Sequence, residues 1–308
     1  MRGSFVKKLI EAARRDPNLY LLTADLGFRA LESFRDEFPK QFVNVGVAEA
    51  NMVGLAVGLA LTGKRVCVYS IVPFVTFRCY EQIRNDVCWH DLDIKLIGVG
   101  GGFSYGNQGI SHNTTEDVAV MRALPNMTVF SPADRVEAEA MSEIVLNHRG
   151  PAYLKLGKTA SRQIYSETPK FEFGRGLTVR AGGDLTLIST GNIIETALAA
   201  ADALAKRGIG ARVISMPCVK PLDQELVLKA ARETGAVFTV EEHSIIGGLG
   251  SAVAETILES EHSGIVFHRF GVPDVFPDRI GSQQYLRDHY GLSVEMIVTT
   301  VLEKLKSK

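Results

Sequence analysis

Residues 42–70 read FVNVGVAEANMVGLAVGLALTGKRVCVYS. A short β-branched run, FVNVG, leads into a Gly/Ala-rich stretch with helical spacing over 48–62, and a second strand-like run, RVCVYS, follows. This strand–helix–strand order predicts a βα unit of a mostly parallel sheet. Upstream, LYLLTAD reads as another strand and 30–38 as a helix. Downstream, a helix is predicted over 74–89 and a strand at IKLIGVG.

The pattern pauses after Lys158. Residues 159–176, TASRQIYSETPKFEFGRG, lose periodicity and collect polar residues, Pro169 and glycines, as an exposed linker does. From Leu185 it resumes with LTLIST, a helix over 193–206, ARVISM, a helix over 223–233, AVFTVEE and a helix opening at GGLGSAVAE. The expectation is two doubly wound α/β domains, residues 1–160 and 176–308, joined by a linker at 161–175. A chain of 308 residues accommodates two domains of roughly 150 residues each.

Composition narrows the function. Hydrophobic content of 46% with 22% charged residues is that of a folded soluble protein, and a formal charge of −1 gives no pull toward nucleic acid or anionic membrane. The N-terminal MRGSFVKKLIEAARRDPN lacks the apolar block of a signal peptide, and no stretch offers 18 uninterrupted apolar residues, so a cytoplasmic location is expected. Cys67, Cys79, Cys88 and Cys218 are scattered without metal-binding spacing and read as reduced, buried thiols; no metal ligand is assigned in this chain. The Gly-rich strings GVGGGFSYGNQG and GGLG do not match the dinucleotide fingerprint, and the phosphate-binding GxxxxGK[ST] is absent.

Glu49 stands where a buried strand meets a helix start, a place that by itself suits a helix-capping acid first and a functional carboxylate second. Phe74 and Phe77 in IVPFVTFRCYEQIR read as two core rings or as a stacking surface. His112 lies in the Gly-rich loop GNQGISHNTTED after a strand, where open α/β sheets carry reactive side chains.

GVAEANMVGLAVGLALTGKRVCVYS resembles the transketolase-family segment in which a glutamate binds the aminopyrimidine of thiamine diphosphate. YEQIRNDV, EDVAVMRALPNMTVFSPAD, GPAYLKLGK and EEHSIIGGLGSAVAE follow in the family's order. The resemblance covers the family's C-terminal two-thirds: a pyrimidine-binding domain, then a transketolase C-terminal-like domain. It gives Glu49 the role of hydrogen-bonding pyrimidine N1′, which favours the imino tautomer that takes the thiazolium C2 proton. It assigns Phe74, Phe77 and Arg78 to the cofactor side, with Phe74 favoured for stacking by its distance from Tyr80-Glu81-Gln82, and His112 to proton shuttling at the substrate. Glu242 and His243 are expected to be structural.

The GDG…N motif with which full-length members hold the diphosphate through a divalent cation such as Mg2+ is absent. The resemblance therefore implies a separate N-terminal partner subunit that carries this motif, an α2β2 assembly, and an inactive isolated chain. The text around His112 departs from the family's DGPTHQ-like string: Gln108 replaces a carboxylate, Gly100 falls near a basic phosphate-clamp residue, Lys158 stands for an arginine, and Arg29 stands for a small hydroxyl residue. Arg29, Gln108, His112 and Lys158 are thus the substrate candidates. An atypical acceptor is expected, such as a modified or nucleotide-linked sugar. The alternative reading is the β subunit of an enzyme that decarboxylates 2-oxo acids, such as an oxo-acid dehydrogenase or an acyloin or deoxyxylulose-phosphate-type synthase. A non-catalytic scaffold has no chemical need for both Glu49 and His112.

Overall fold

The computed structural model describes residues 1–158, 162–260 and 264–306. The first six strands are β1 (Leu19–Thr23), β2 (Phe42–Asn44), β3 (Arg65–Ile71), β4 (Ile94–Val99), β5 (Thr128–Phe130) and β6 (Ala152–Leu156). After them come β7 (Leu177–Arg180), β8 (Leu185–Ser189), β9 (Ala211–Ser215), β10 (Cys218–Lys220), β11 (Ala236–Ser244) and β12 (Val266–Val272). They form a seven-stranded sheet in the order β10-β5-β6-β4-β3-β1-β2 and a five-stranded sheet in the order β12-β11-β8-β9-β7. β4 is buried along its whole length, as a strand covered by helices on both faces must be.

Parallel pairing holds throughout except at one edge of each sheet, where β10 pairs antiparallel with β5 and β7 with β9. β10 comes from the C-terminal half of the chain yet completes the first sheet. Three residues, CVK, followed by Pro221, gave no periodicity from which a strand is predictable. One continuous apolar cluster runs from Val68 and Leu96 through Val129, Met216 and Val219 to Ile188 and Val237, so the two sheets share core.

The helix predicted over 74–89 is broken. An α-helix at Val72–Thr76, with Pro73 in its first turn, stops at Phe77; a single α-turn at Tyr80–Gln82 then runs into a π-helix at Ile83–Cys88. Thr76 Oγ1 and Cys79 Sγ donate back to the carbonyls of Val72 and Val75, four residues earlier. π-turns concentrate at functional sites.

Residues 159–161, where the first expected domain boundary falls, lie outside the described residues. The rest of the linker is strapped down. Ile164 donates its amide to Asp134, and the Tyr165 hydroxyl donates to Glu137 Oε1 at 2.5 Å. Glu137 is fully buried and also accepts from Ser215 Oγ at 2.6 Å; burial pushes its pKa up against these hydrogen bonds. The four cysteines are free and buried. Among the described residues, no helix is long and apolar enough to cross a membrane.

Candidate active site

In a parallel sheet all the carboxyl ends of the strands open on one edge, and the loops there collect functional groups. Arg29 follows β1, Glu49 follows β2, Phe74 and Arg78 follow β3, Gln108 and His112 follow β4, and Lys158 follows β6. Residues far apart along the chain are thereby folded onto one edge of the first sheet.

Glu49 is the first residue of the helix Glu49–Leu61, which Gly46, at φ +73°, allows to turn sharply off β2. Its side chain is 3% exposed. Oε2 accepts a 3.0 Å hydrogen bond from Arg78 Nη1, whereas Oε1 is buried with no hydrogen-bond partner among the described residues. A buried oxygen left without a donor costs about 1–3 kcal/mol. The site is therefore shaped for a donor that the chain itself does not provide.

Phe74 lies under the Arg78 guanidinium, 3.8 Å from its ring centroid, and edge-on to the His112 ring at 5.1 Å. His112 continues the row to Tyr105 at 5.9 Å, and Lys158 Nζ sits 4.1 Å over the Tyr105 ring. Ser111 Oγ lies 2.9 Å from His112 Nδ1. The pKa of His112 is lowered, chiefly by burial and then by the charges of Arg78 and Lys158, so the imidazole is neutral at pH 7 and free to accept a proton.

Glu49, Arg78, Phe74, His112 and Lys158 thus form one connected row. Phe77 does not join it: its ring is 42% exposed and makes no ring contact among the described residues. Gln108 ends a 3-10 turn, with its amide bonded to the Tyr105 carbonyl and its side chain exposed. Arg29 is exposed with φ +60°, an uncommon conformation for a residue with a side chain, and its amide donates to Glu32 Oε1 at 2.7 Å. Neither Arg29 nor Lys158 has an acidic partner among the described residues.

Sequence reasoning missed Tyr105. Tyr105 links His112 to Lys158, and its ring fills the space beside Gly100, where a Cβ would lie 2.1 Å from it. Gly100 therefore makes room for an aromatic ring.

An aminopyrimidine matches this geometry, since it brings a hydrogen-bonding partner for Glu49 Oε1 and a flat ring for Phe74. The transketolase pyrimidine-binding domain model matches residues 1–163, and the transketolase C-terminal domain model matches residues 174–297. The chain belongs to the transketolase family. More narrowly, it is similar over its whole length to C-terminal subunits of split transketolases. It is 38% identical over 309 residues to the 6-deoxy-6-sulfo-D-fructose transketolase subunit SqwH of Clostridium sp. (strain MSTE9), covering 100% of this chain and 95% of that one. It is 38% identical to an apulose-4-phosphate transketolase subunit of Phocaeicola vulgatus, covering 99% and 97% of the two chains. A solved structure described as a split gene transketolase, inactive beta4 tetramer, superposes with a TM-score of 0.90 at 39% identity, covering 99% of this chain and 98% of that one.

Proposed function

We propose that this chain is the pyrimidine-side subunit of a cytoplasmic, thiamine-diphosphate-dependent enzyme that moves a two-carbon ketol unit from a ketose donor to an aldose or modified-sugar acceptor. The observation that carries the reading is the buried, unpartnered Glu49 Oε1, set in one row with Phe74 and His112. Thiamine diphosphate, when bound, supplies the carbon nucleophile for such a transfer.

The chain's own residues prepare that chemistry. Glu49 offers Oε1 to the pyrimidine while Arg78 holds Oε2. Phe74 supplies the stacking face. His112, neutral and half-exposed, accepts or returns the substrate's hydroxyl proton. Gln108, Arg29 and Lys158 line the acceptor side, and the two unpaired cations favour a sugar with an anionic end. Two relatives named for a sulfonated and a phosphorylated sugar support that preference.

The diphosphate and its divalent cation belong to an N-terminal partner subunit in an α2β2 assembly. The need for a partner is supported by the relatives named as subunits and by the solved beta4 tetramer named as inactive. The division into 1–160, a linker at 161–175 and 176–308 is supported by the ranges of the two family models.

The test is ketol transfer with thiamine diphosphate and Mg2+, using this chain alone and with the product of the adjacent reading frame, while carbon dioxide is monitored. Activity only in the mixture, without carbon dioxide, is the expected result. Carbon dioxide release moves the chain to the 2-oxo-acid-using enzymes.

A further inference from the structure

The loop that carries His112 is held from the other sheet. Glu242, on β11, accepts a 2.6 Å hydrogen bond from the Phe103 amide at the start of that loop. Two residues on, the Ser244 amide donates to the Thr115 carbonyl at its end, also at 2.6 Å. Between them, His243 Nε2 accepts from the Ala119 amide at 3.2 Å while Nδ1 faces the Ser244 carbonyl at 2.7 Å. The loop closes on itself through paired Gly102 and Thr114 hydrogen bonds, and Gly281 donates its amide to Gly106 at mid-loop.

Glu242 is itself braced. Its carboxylate, 8% exposed, takes 2.9 and 3.0 Å hydrogen bonds from Gln283 Nε2 and an ion pair from Arg287. Arg287 is fixed in turn by Asn192 Oδ1 at 2.8 Å. The fit leaves no slack at the loop: a Cβ on Gly102 would lie 2.1 Å from Glu242 Oε1, and one on Gly106 2.4 Å from the Gly281 carbonyl. A buried ion pair is weak as a source of stability, and apolar residues of equal volume serve as well or better. What it provides here is a fixed acceptor for one loop amide, because charge-assisted hydrogen bonds are short and directional.

We infer that Glu242 is a positioning residue for His112: through its Gln283 and Arg287 brace, the second sheet sets where the His112 loop stands over the reaction site. The inference rests on the role proposed above for His112. Glu49, Phe74 and Arg78 sit on elements that follow β2 and β3, and none of them hydrogen-bonds to Glu242 among the described residues, so the brace reaches the cofactor side only through the Phe74–His112 ring contact.

The test compares Glu242→Ala, Glu242→Gln and the milder Gln283→Ala with the unaltered chain, both alone and assembled with its partner subunit. In the chain alone, amide hydrogen exchange over 103–114 and the His112 NMR titration are read. Glu242→Ala is expected to speed exchange in that segment and shift the His112 titration, while residues 49–61 keep their protection. In the assembled enzyme, kcat falls about ten- to hundredfold, as a displacement on the order of 1 Å implies. Thiamine diphosphate affinity stays unchanged, and Glu242→Gln recovers most of the loss because it retains an acceptor for Phe103. Unaltered exchange and His112 titration in Glu242→Ala overturn the inference, as does a fall in kcat matched by equal loss of cofactor binding. If Glu242→Ala does not fold, Gln283→Ala decides by the same measurements. An assembled wild-type enzyme without ketol transfer strikes the proposed function instead, and the exchange and titration still judge the brace.

Discussion

Arg78 bonds Glu49 through Oε2 alone, at 3.0 Å, while the same guanidinium sits over Phe74, 3.8 Å from its ring centroid. The guanidinium thus covers the Phe74 face on which a bound aminopyrimidine would stack, while its hydrogen bond leaves Glu49 Oε1 to that ring. Cofactor entry therefore requires Arg78 to leave the ring face. Arg78→Ala should raise the association rate of thiamine diphosphate with the assembled enzyme, measured by stopped-flow quenching of protein fluorescence. A slower association would show that Arg78 recruits the cofactor and does not occupy its place.

The carboxylate itself is testable by an isosteric change. Glu49→Gln keeps the shape of the side chain but removes its charge, and kcat should drop by about 10²- to 10⁴-fold, the range for loss of a positioned acid–base group. Circular dichroism should be unaltered. A variant with wild-type kcat would return Glu49 to the role of a helix-start acid.

His112 gives a prediction with a definite sign. Its folded pKa is lowered from 6.5, so between that value and the folded one the unfolded chain binds the extra proton. Stability must fall as pH drops below about 6.5, and this part of the fall should vanish in His112→Gln. Removing Arg78 or Lys158 should move the NMR titration of His112 upward, because each positive charge opposes protonation. A downward shift in Lys158→Met would contradict the arrangement.

The strap between the sheets can be loosened by one atom. Tyr165→Phe deletes a donor to the buried Glu137 and should cost about 1–3 kcal/mol in urea unfolding. Ketol transfer per folded molecule should be unaffected, because the change touches neither the Glu49 nor the His112 side. An unchanged midpoint would mean that Ser215 and the Ala133 amide suffice for Glu137.

Arg29 is exposed and holds a backbone conformation uncommon for a residue with a side chain. Arg29→Gly should leave the melting temperature the same or higher, because glycine adopts positive φ freely. The KM for an anionic acceptor should rise severalfold, with the donor's KM steady. Loss of stability without any effect on KM would give Arg29 a purely local role.

Much of the fold is legible in the chain itself. Strands such as IKLIGV announce themselves by unbroken burial, and Glu49 and His112 stand in strings long enough to carry a family resemblance. What escaped depends on contacts across distance. Phe74 and Phe77 look alike along the chain, yet only Phe74 meets Arg78 and His112. Tyr105 matters because Gly100 leaves room for it, and Glu242 because Phe103 arrives opposite it. The helix break at Phe77–Cys79 lies beside a hydroxyl and a thiol that bond backward, which apolar periodicity does not register.

β10 also bears on how this protein can be taken apart. A strand from beyond the linker finishes the edge of the first sheet at β5, so either half made alone would expose an unpaired strand or lose the partner that orders it. Cutting within 162–175 therefore yields sticky fragments and no freestanding modules. Chimeras built by swapping halves between relatives should exchange β5 and β10 as a matched set.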